Sequence, residues 1–214
     1  MTAVVPAVLC ESLEDYQTTM TRLEPFANHI HVDISDGEFA PTFTVSVNQL
    51  YWPNGWEVDL HAMVARPSEY LPALLALKPR TIIFHAEVQE DLSAIMQQVK
   101  DAGVHAGIAL LRPTVPKAVA PYIEQADHVM IFSGELGHYG GTASLMQLEK
   151  VRLIRSIHPE VEIGWDGGAS LENVFSLAQG GIDVINAGGG VNNANDAQAA
   201  YNALVAEANK HGVI

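Results

Sequence analysis

Cysteine and positive charge are both scarce in this chain. Cys10 is the one cysteine among 214 residues, so no disulfide can form within the chain, which fits a reducing compartment. Lysine and arginine number 11 against 25 aspartates and glutamates, which gives a formal net charge of -14. Nucleic acids and anionic membranes are bound through clustered lysine and arginine, so neither is an expected partner.

Long apolar runs are also missing. No stretch approaches the roughly 20 apolar residues of a membrane span. The first residues, Met1 to Pro6, lack the basic head of a signal peptide. We therefore expect a cytoplasmic protein. The hydrophobic fraction of 48% and the charged fraction of 17% are typical of a globular protein with a sizeable core.

Short apolar runs alternate with helical patterns along the whole chain. The predicted strands are 4–9, 30–34, 58–64, 81–85, 106–111, 129–132, 162–165 and 184–187. The predicted helices are 13–26, 69–77, 92–102, 117–125, 146–157, 171–179 and 194–209. Ser12, Pro67 and Asp91 are typical of helix starts. This alternation indicates parallel strands joined by crossover helices.

Eight strand-helix units predict a (β/α)8 TIM barrel that forms a single domain over residues 1–214. Only the link after the second strand lacks a convincing long helix, because Pro41 and Pro53 interrupt it. A doubly wound open sheet is the alternative. It would need a glycine-rich phosphate turn after the first strand, where residues 8–12 offer none.

Two histidines and two aspartates fall near the carboxyl ends of the predicted strands, where a barrel places its catalytic groups. They are His31 and Asp33 on the second strand, His61 on the third and Asp166 after the seventh. A single histidine on a strand is about as often a hydrogen-bonded structural residue as a functional one. Two carboxylates buried beside two imidazoles without a cation or protons are costly, however, so the four together predict a metal site. Mixed imidazole and carboxylate ligands suit zinc, iron, manganese or cobalt better than magnesium or calcium.

Glycines cluster after the last three predicted strands, at 137–141, 167–168 and 188–190. A tight turn would explain any one cluster. The loops after the seventh and eighth strands of a barrel often bind phosphate, because glycine lets backbone N–H groups approach the anion. The three clusters together, one of them adjoining Asp166, predict a phosphate-binding surface beside the metal site.

Several motifs also occur in a specific order along the chain. They are 31–39 (His-Val-Asp-Ile-Ser-Asp-Gly-Glu-Phe) followed by Pro41, 59–64 (Asp-Leu-His-Ala-Met-Val) with Pro67, 84–87 (Phe-His-Ala-Glu), 106–110 (Ala-Gly-Ile-Ala-Leu), Gly140-Gly141, 166–168 (Asp-Gly-Gly) and Ala187-Gly188. Through these motifs the chain resembles the ribulose-phosphate 3-epimerases over nearly its whole length.

The resemblance implies a metal-dependent isomerase that inverts C3 of a ketose phosphate through an enediolate. It implies that His31, Asp33, His61 and Asp166 bind one divalent metal ion, and that Asp33 and Asp166 are also the acid/base pair on opposite faces of the substrate. Inversion needs one of these carboxylates ionised and the other protonated. The implied substrate contacts are Cys10, Met63, Gly140, Gly141, Gly168, Gly188 and Gly189.

Under the same resemblance, the best single expectation for the reaction is D-ribulose 5-phosphate to D-xylulose 5-phosphate, a step of the pentose phosphate pathway. The expected assembly is a homo-oligomer. Departures from the family pattern lie around the substrate rather than among the metal and acid/base groups. They are Cys10 for serine, Ser35 for methionine, Arg112 for asparagine, Gly189-Gly190 for Gly-Ser, and the loop 133–141, with Glu135, for Asn-Pro-Gly-Phe-Gly-Gly.

These departures leave alternatives open. One is a related hexulose 6-phosphate, such as allulose 6-phosphate, as substrate, and another is a phosphosugar-binding protein without turnover. Asp33 and Asp166 argue against a mere binder, and decarboxylases of similar fold carry a lysine that this chain lacks after Asp33. Arg112 would either contact the substrate or face the surface. His85 and Glu87 would either orient a ligand histidine or be buried structural residues.

Overall fold

The computed structural model describes residues 1–211, which contain a closed barrel of eight parallel strands. The strands are β1 (Ala3–Val8), β2 (His29–Ser35), β3 (Glu57–Met63), β4 (Thr81–His85), β5 (His105–Leu110), β6 (His128–Phe132), β7 (Glu162–Asp166) and β8 (Val184–Ala187). Each strand pairs with the next, and β8 pairs with β1 to close the barrel. The predicted (β/α)8 barrel is confirmed, and no predicted strand end differs from the observed one by more than one residue.

Helices connect most of the strands. They are α1 (Leu13–Leu23), α2 (Pro67–Ala76), α3 (Leu92–Asp101), α4 (Ala120–Gln125), α5 (Glu149–Ile157), α6 (Val174–Gln179), α7 (Gly189–Asn192) and α8 (Ala197–Ala208). Ser12 and Asp91 cap α1 and α3 through their side chains, as predicted. Between β2 and β3 the structure has only a short 3-10 turn, Val47–Gln49, which confirms the predicted absence of a long helix there.

Three predicted helices are shorter in the structure, and each has a local cause. α1 ends at Leu23 rather than 26 because Pro25 has no backbone N–H to continue the helical hydrogen bonds. The segment 117–125 begins as a 3-10 turn, and α4 follows with Pro121 in its first turn, where the missing N–H is tolerated. α6 begins three residues late because the Asn173 side chain bonds to the Ser170 amide and the Gly168 carbonyl.

Two further helices begin later in the sequence than predicted. The segment predicted to start a helix at 146 is a 3-10 turn, Leu145–Leu148, before α5 begins. The last helix begins at Ala197 rather than 194, because the Asp196 side chain accepts a hydrogen bond from the Ala199 amide and caps α8. No helix among residues 1–211 is long and apolar enough to cross a membrane.

Strand alternation decides which side chains face the barrel interior. On β2, Ile30, Val32 and Ile34 belong to the main apolar core, while His31 and Asp33 occupy the alternate positions. A separate buried cluster of Ile83, Ala109, Met130 and Phe132 forms a second apolar group. The polar site therefore lies on strands whose opposite faces are fixed by core packing.

A charged network occupies the amino-terminal end of the barrel. Asp59 is 1% exposed and accepts two hydrogen bonds from the Arg80 guanidinium, at 2.8 and 3.0 Å. Arg80 also bonds to Glu162 at 2.8 Å. His29 and His128 complete the network through Asp59 and Glu162, each at 2.7 Å. These contacts tie β2, β3, β6 and β7 to the residue preceding β4 at the end remote from the predicted site.

Candidate active site

Four side chains predicted to share one metal converge inside the barrel. His31 and Asp33 extend from β2, His61 from β3 and Asp166 from the last position of β7. Strand register pairs Asp33 with His61, so those two side chains are neighbours across the β2–β3 ladder. One nitrogen or oxygen from each of the four residues lies within 4.8 Å of the others.

The contacts within this cluster are short. Nδ1 of His61 lies 2.7 Å from Oδ1 of Asp33 and 3.7 Å from Oδ2 of Asp166. Nε2 of His31 lies 3.3 Å from Asp33 Oδ1 and 3.9 Å from Asp166 Oδ2. Among the described residues, this buried nitrogen has no hydrogen-bond partner. Two imidazole nitrogens and two carboxylates that face one another, with one nitrogen unpaired, fit a divalent metal ion.

The two aspartates differ in their tendency to hold a proton. Burial works to raise the pKa of Asp33, but the neighbouring imidazoles of His31 and His61 outweigh it and hold this pKa well below its usual range. For Asp166, burial and the neighbouring charge of Asp33 raise the pKa. One carboxyl group is therefore held ionised, while its neighbour is biased toward the protonated form.

A cavity of about 270 Å³ opens above the two aspartates. Asp33, Asp166, Met63 and all five predicted phosphate-loop glycines line it. Those glycines are Gly140, Gly141, Gly168, Gly188 and Gly189. Neither lysine nor arginine is among the described residues that line the cavity. Apart from the His138 imidazole, the groups there that can bind an anion are backbone N–H groups and neutral side chains.

Gly168 shows why one of these positions needs glycine. Its φ is +73°, an angle that residues with a side chain rarely adopt. An added Cβ would lie 2.3 Å from the backbone nitrogen of Ala143. Two loops thus pack against each other at the cavity wall with no space for a side chain.

Comparison with known proteins assigns the family. The model of the ribulose-phosphate 3 epimerase family matches residues 3–192. The chain belongs to this family. It is 31% identical over 189 residues to the ribulose-phosphate 3-epimerase of Mycobacterium leprae, covering 83% of each chain. It is also 27% identical over 192 residues to that of Schizosaccharomyces pombe, covering 86% of this chain and 84% of the relative.

This family membership makes the chain an isomerase-class epimerase. A solved structure of similar fold is 3-hexulose-6-phosphate synthase from Salmonella typhimurium, with a TM-score of 0.72 and 15% identity over 97% of this chain and 98% of that one. At that identity the similarity shows the barrel alone.

Cys10 takes a different position from the other predicted substrate contacts of this epimerase. The described residues that line the cavity include Leu9 but not Cys10. The Cys10 thiol lies 3.6 Å from the Thr19 hydroxyl, and burial raises its pKa. Its role as a substrate contact stays a prediction, whereas Met63 does lie at the cavity.

Several cavity residues of this epimerase were not predicted as site residues, among them Asn186 and Tyr139. Asn186 lies on β8, lines the cavity and has its side-chain nitrogen 3.1 Å from Nδ1 of His31. The available signal was one polar residue in an apolar strand. Tyr139 lines the cavity and its hydroxyl accepts a 2.5 Å hydrogen bond from the Leu9 amide. This contact joins the loop after β6 to the end of β1, and nothing in the local sequence indicates it.

Arg112 binds the protein backbone. Its Nε donates to the Ser133 carbonyl at 3.0 Å, and an Nη donates to the Thr142 carbonyl at 2.8 Å. These two carbonyls stand at the two ends of the loop 134–141, which differs from the usual family sequence. Arg112 therefore holds the ends of the loop together. Ser35 likewise bonds to a neighbouring loop, donating to the Thr42 carbonyl at 2.5 Å.

Proposed function

We propose that the chain inverts C3 of a ketose phosphate, with D-ribulose 5-phosphate and D-xylulose 5-phosphate as the substrate pair. The observation that carries this proposal is the pair Asp33 and Asp166 beneath one cavity, with the pKa of the first lowered and that of the second raised. Epimerisation next to a ketone needs such a pair, because one group removes a proton and the other supplies one. The named activity of the relatives supports the choice of sugar.

The proton path follows from these two carboxyl groups. The ionised Asp33 removes the C3 proton from one face, and the electron pair enters the enediolate. The protonated Asp166 then gives its proton to C3 from the other face, which leaves the opposite configuration. In the reverse direction the two residues exchange roles.

His31, Asp33, His61 and Asp166 would hold the divalent metal ion, whose candidates are zinc, iron, manganese and cobalt. Bound there, the ion would polarise the ketone and balance the negative charge of the enediolate. The unpaired Nε2 of His31, which faces both carboxylates, supports this assignment. His31 and His61 are fully buried, so the protein excludes water from the two nitrogen ligands.

Backbone N–H groups of Gly140, Gly141, Gly168, Gly188 and Gly189 would bind the substrate phosphate. All five lie at the cavity, and Gly140, Gly141 and Gly168 have positive φ angles, which glycine adopts without strain. Met63 and Phe132 add apolar surface to the cavity wall.

Deuterium uptake tests the proposed reaction. In D2O the purified chain is expected to convert D-ribulose 5-phosphate to D-xylulose 5-phosphate that carries deuterium at C3, as read by proton NMR. Removing metal with a chelator is expected to abolish conversion. Re-adding zinc, iron, manganese or cobalt singly identifies the ion that restores it.

Hexulose 6-phosphates provide the comparison in the same assay. Faster conversion of a hexulose phosphate than of ribulose 5-phosphate would overturn the choice of sugar and retain the chemistry. Conversion that persists after complete metal removal would contradict the metal site. Conversion without deuterium at C3 would contradict proton exchange through the aspartates.

Gly168→Ala tests the phosphate surface. The added methyl group must displace the loop at Ala143, and we expect kcat/KM for the sugar phosphate to fall by roughly 10²-fold, mainly through KM. Gly55→Ala is the matched control, because Gly55 also has a positive φ, +86°, but an added Cβ there meets nothing within 4 Å. Equal losses of kcat/KM in both variants would indicate backbone strain alone and contradict the role of Gly168.

A further inference from the structure

A line of hydrogen bonds leads from His61 to the half-buried carboxylate of Glu87. Nε2 of His61, the nitrogen turned away from Asp33, lies 2.8 Å from Nε2 of His85. Nδ1 of His85 lies 3.3 Å from Oε2 of Glu87. These three residues form a histidine relay that ends on Glu87, and His85 is fully buried in it.

Apolar rings enclose the middle of this relay. The ring centroid of Phe39 lies 4.7 Å from that of His85, and the centroid of Phe132 lies 5.7 Å from it on an edge-to-face approach. The two nitrogens of His85 are thus satisfied by His61 and Glu87 in a site with no exposure to solvent.

Glu87 is fixed in turn by other donors. Its Oε1 accepts hydrogen bonds from the Leu111 amide, at 2.9 Å, and from the Thr114 hydroxyl. A carboxylate only accepts hydrogen bonds, so His85 must carry its proton on Nδ1 to meet Oε2. Its Nε2 is then the acceptor of a hydrogen bond that the protonated Nε2 of His61 donates. That assignment gives Nδ1 of His61, the nitrogen facing Asp33 and Asp166, a lone pair for a metal ion. The ion would replace the 2.7 Å contact between Nδ1 and Asp33 Oδ1, which competes for the same His61 proton in the metal-free protein.

We propose that His85 and Glu87 are positioning residues that fix the His61 tautomer with its Nδ1 available to the metal. The proposal rests on the metal site proposed above. Carboxylates and other acceptors that hold the distal nitrogen of a ligand histidine commonly alter metal affinity by about 10- to 100-fold. Here the carboxylate acts through a second histidine.

Glu87→Gln is expected to reverse the direction of the hydrogen bonds in the relay. The glutamine oxygen should remain where Leu111 and Thr114 donate, which turns the amide NH2 toward His85. His85 would then carry its proton on Nε2 and donate to His61, whose own proton would move to Nδ1 and oppose the metal. We expect zinc affinity to fall by about 10- to 100-fold.

Two comparisons separate this effect from damage to the fold. His85→Gln places an amide oxygen close to the position of Nε2 and can still accept from His61, whereas His85→Phe cannot. We expect His85→Gln to retain more zinc affinity than His85→Phe. Glu162→Gln is the control, because Glu162 also accepts from a buried histidine, His128, at 2.7 Å, but at the other end of the barrel.

The experiment uses the full chain with zinc as the probe. Competition with a chelator gives the affinity, bound metal per chain gives the stoichiometry, and 15N-resolved NMR of the histidine rings gives the tautomers. In wild type His85 should carry its proton on Nδ1, and in Glu87→Gln on Nε2. This tautomer exchange is a signature that general loosening of the fold would not produce.

The possible outcomes separate the two proposals. If wild type binds no zinc, the metal site fails, and the His85 tautomers in the metal-free chain still decide the relay. If Glu87→Gln leaves both zinc affinity and the His85 tautomer at wild-type values, the relay is overturned. It is also overturned if Glu162→Gln lowers zinc affinity as much as Glu87→Gln.

Discussion

Asp166→Asn is expected to lower kcat by about 10² to 10⁴-fold, the usual contribution of a positioned acid or base. The asparagine keeps the shape of the side chain but cannot deliver a proton to C3. Asp33 remains and can still remove the C3 proton of one epimer and return deuterium from solvent to the same face. We therefore expect slow exchange into that epimer, without inversion, and no exchange into the other epimer.

Asp33→Asn gives the complementary result, with residual exchange confined to the opposite epimer. Asp127→Asn is the control, because Asp127 lies beside the amino-terminal end of β6 and bonds to the Ala106 amide. It should retain near wild-type kcat in the NMR assay. Residual inversion above about a tenth of the wild-type rate in Asp166→Asn would rule out the two-carboxylate path.

Arg80→Met is expected to lower the free energy of unfolding by about 3 to 5 kcal/mol, because it leaves a buried carboxylate without its cation. Asp59 is 1% exposed and loses the two guanidinium hydrogen bonds. Glu162 loses a partner at 2.8 Å in the same substitution. Urea unfolding of the full chain, followed by circular dichroism, measures the difference.

Arg66→Met is the matched control for this prediction. Arg66 also bridges two carboxylates, Glu38 and Glu69, but its side chain is 49% exposed. Exposed pairs contribute about 0 to 1 kcal/mol, so this variant should unfold close to wild type. If the two variants lost equal stability, burial of the Asp59 network would not be the cause.

The stability that this charged network contributes should depend on pH. Burial works to raise the pKa of Glu162, but hydrogen bonds from His128 and Arg80 outweigh it and lower the pKa to about 2. A pKa lowered by folding stabilises the protein above the ordinary value of the group, 4.5 here, and the contribution disappears as pH falls toward about 2. Arg80→Met should lose less stability than wild type across that pH range.

The barrel and its polar cluster could be predicted because both depend on strand periodicity. Alternation on β2 places His31 and Asp33 on the face opposite Ile30 and Val32, and the order of parallel strands brings β2, β3 and β7 to one interior. The resemblance to a known family added the proton-transfer roles of Asp33 and Asp166.

Contacts between loops could not be predicted in the same way. The Tyr139 hydroxyl meets the Leu9 amide across 130 positions of sequence, and no periodic pattern describes such a pair. The orientation of Cys10 toward Thr19 depends on where α1 packs, and the role of Arg112 depends on the path of another loop. Some helices begin later than predicted because single side chains, such as that of Asn173, form hydrogen bonds with nearby backbone.

Arg112 holds Ser133 and Thr142 by their carbonyl oxygens. Every residue type carries that acceptor, so the anchoring does not depend on which amino acids stand at the two ends of the loop. The first part of the loop, 134–138, can therefore change in composition while these attachment points stay in place, whereas Tyr139, Gly140 and Gly141 have contacts of their own at the cavity. A change of sequence in that part of the loop would alter the cavity wall and leave Asp33 and Asp166, which stand on strands, where they are.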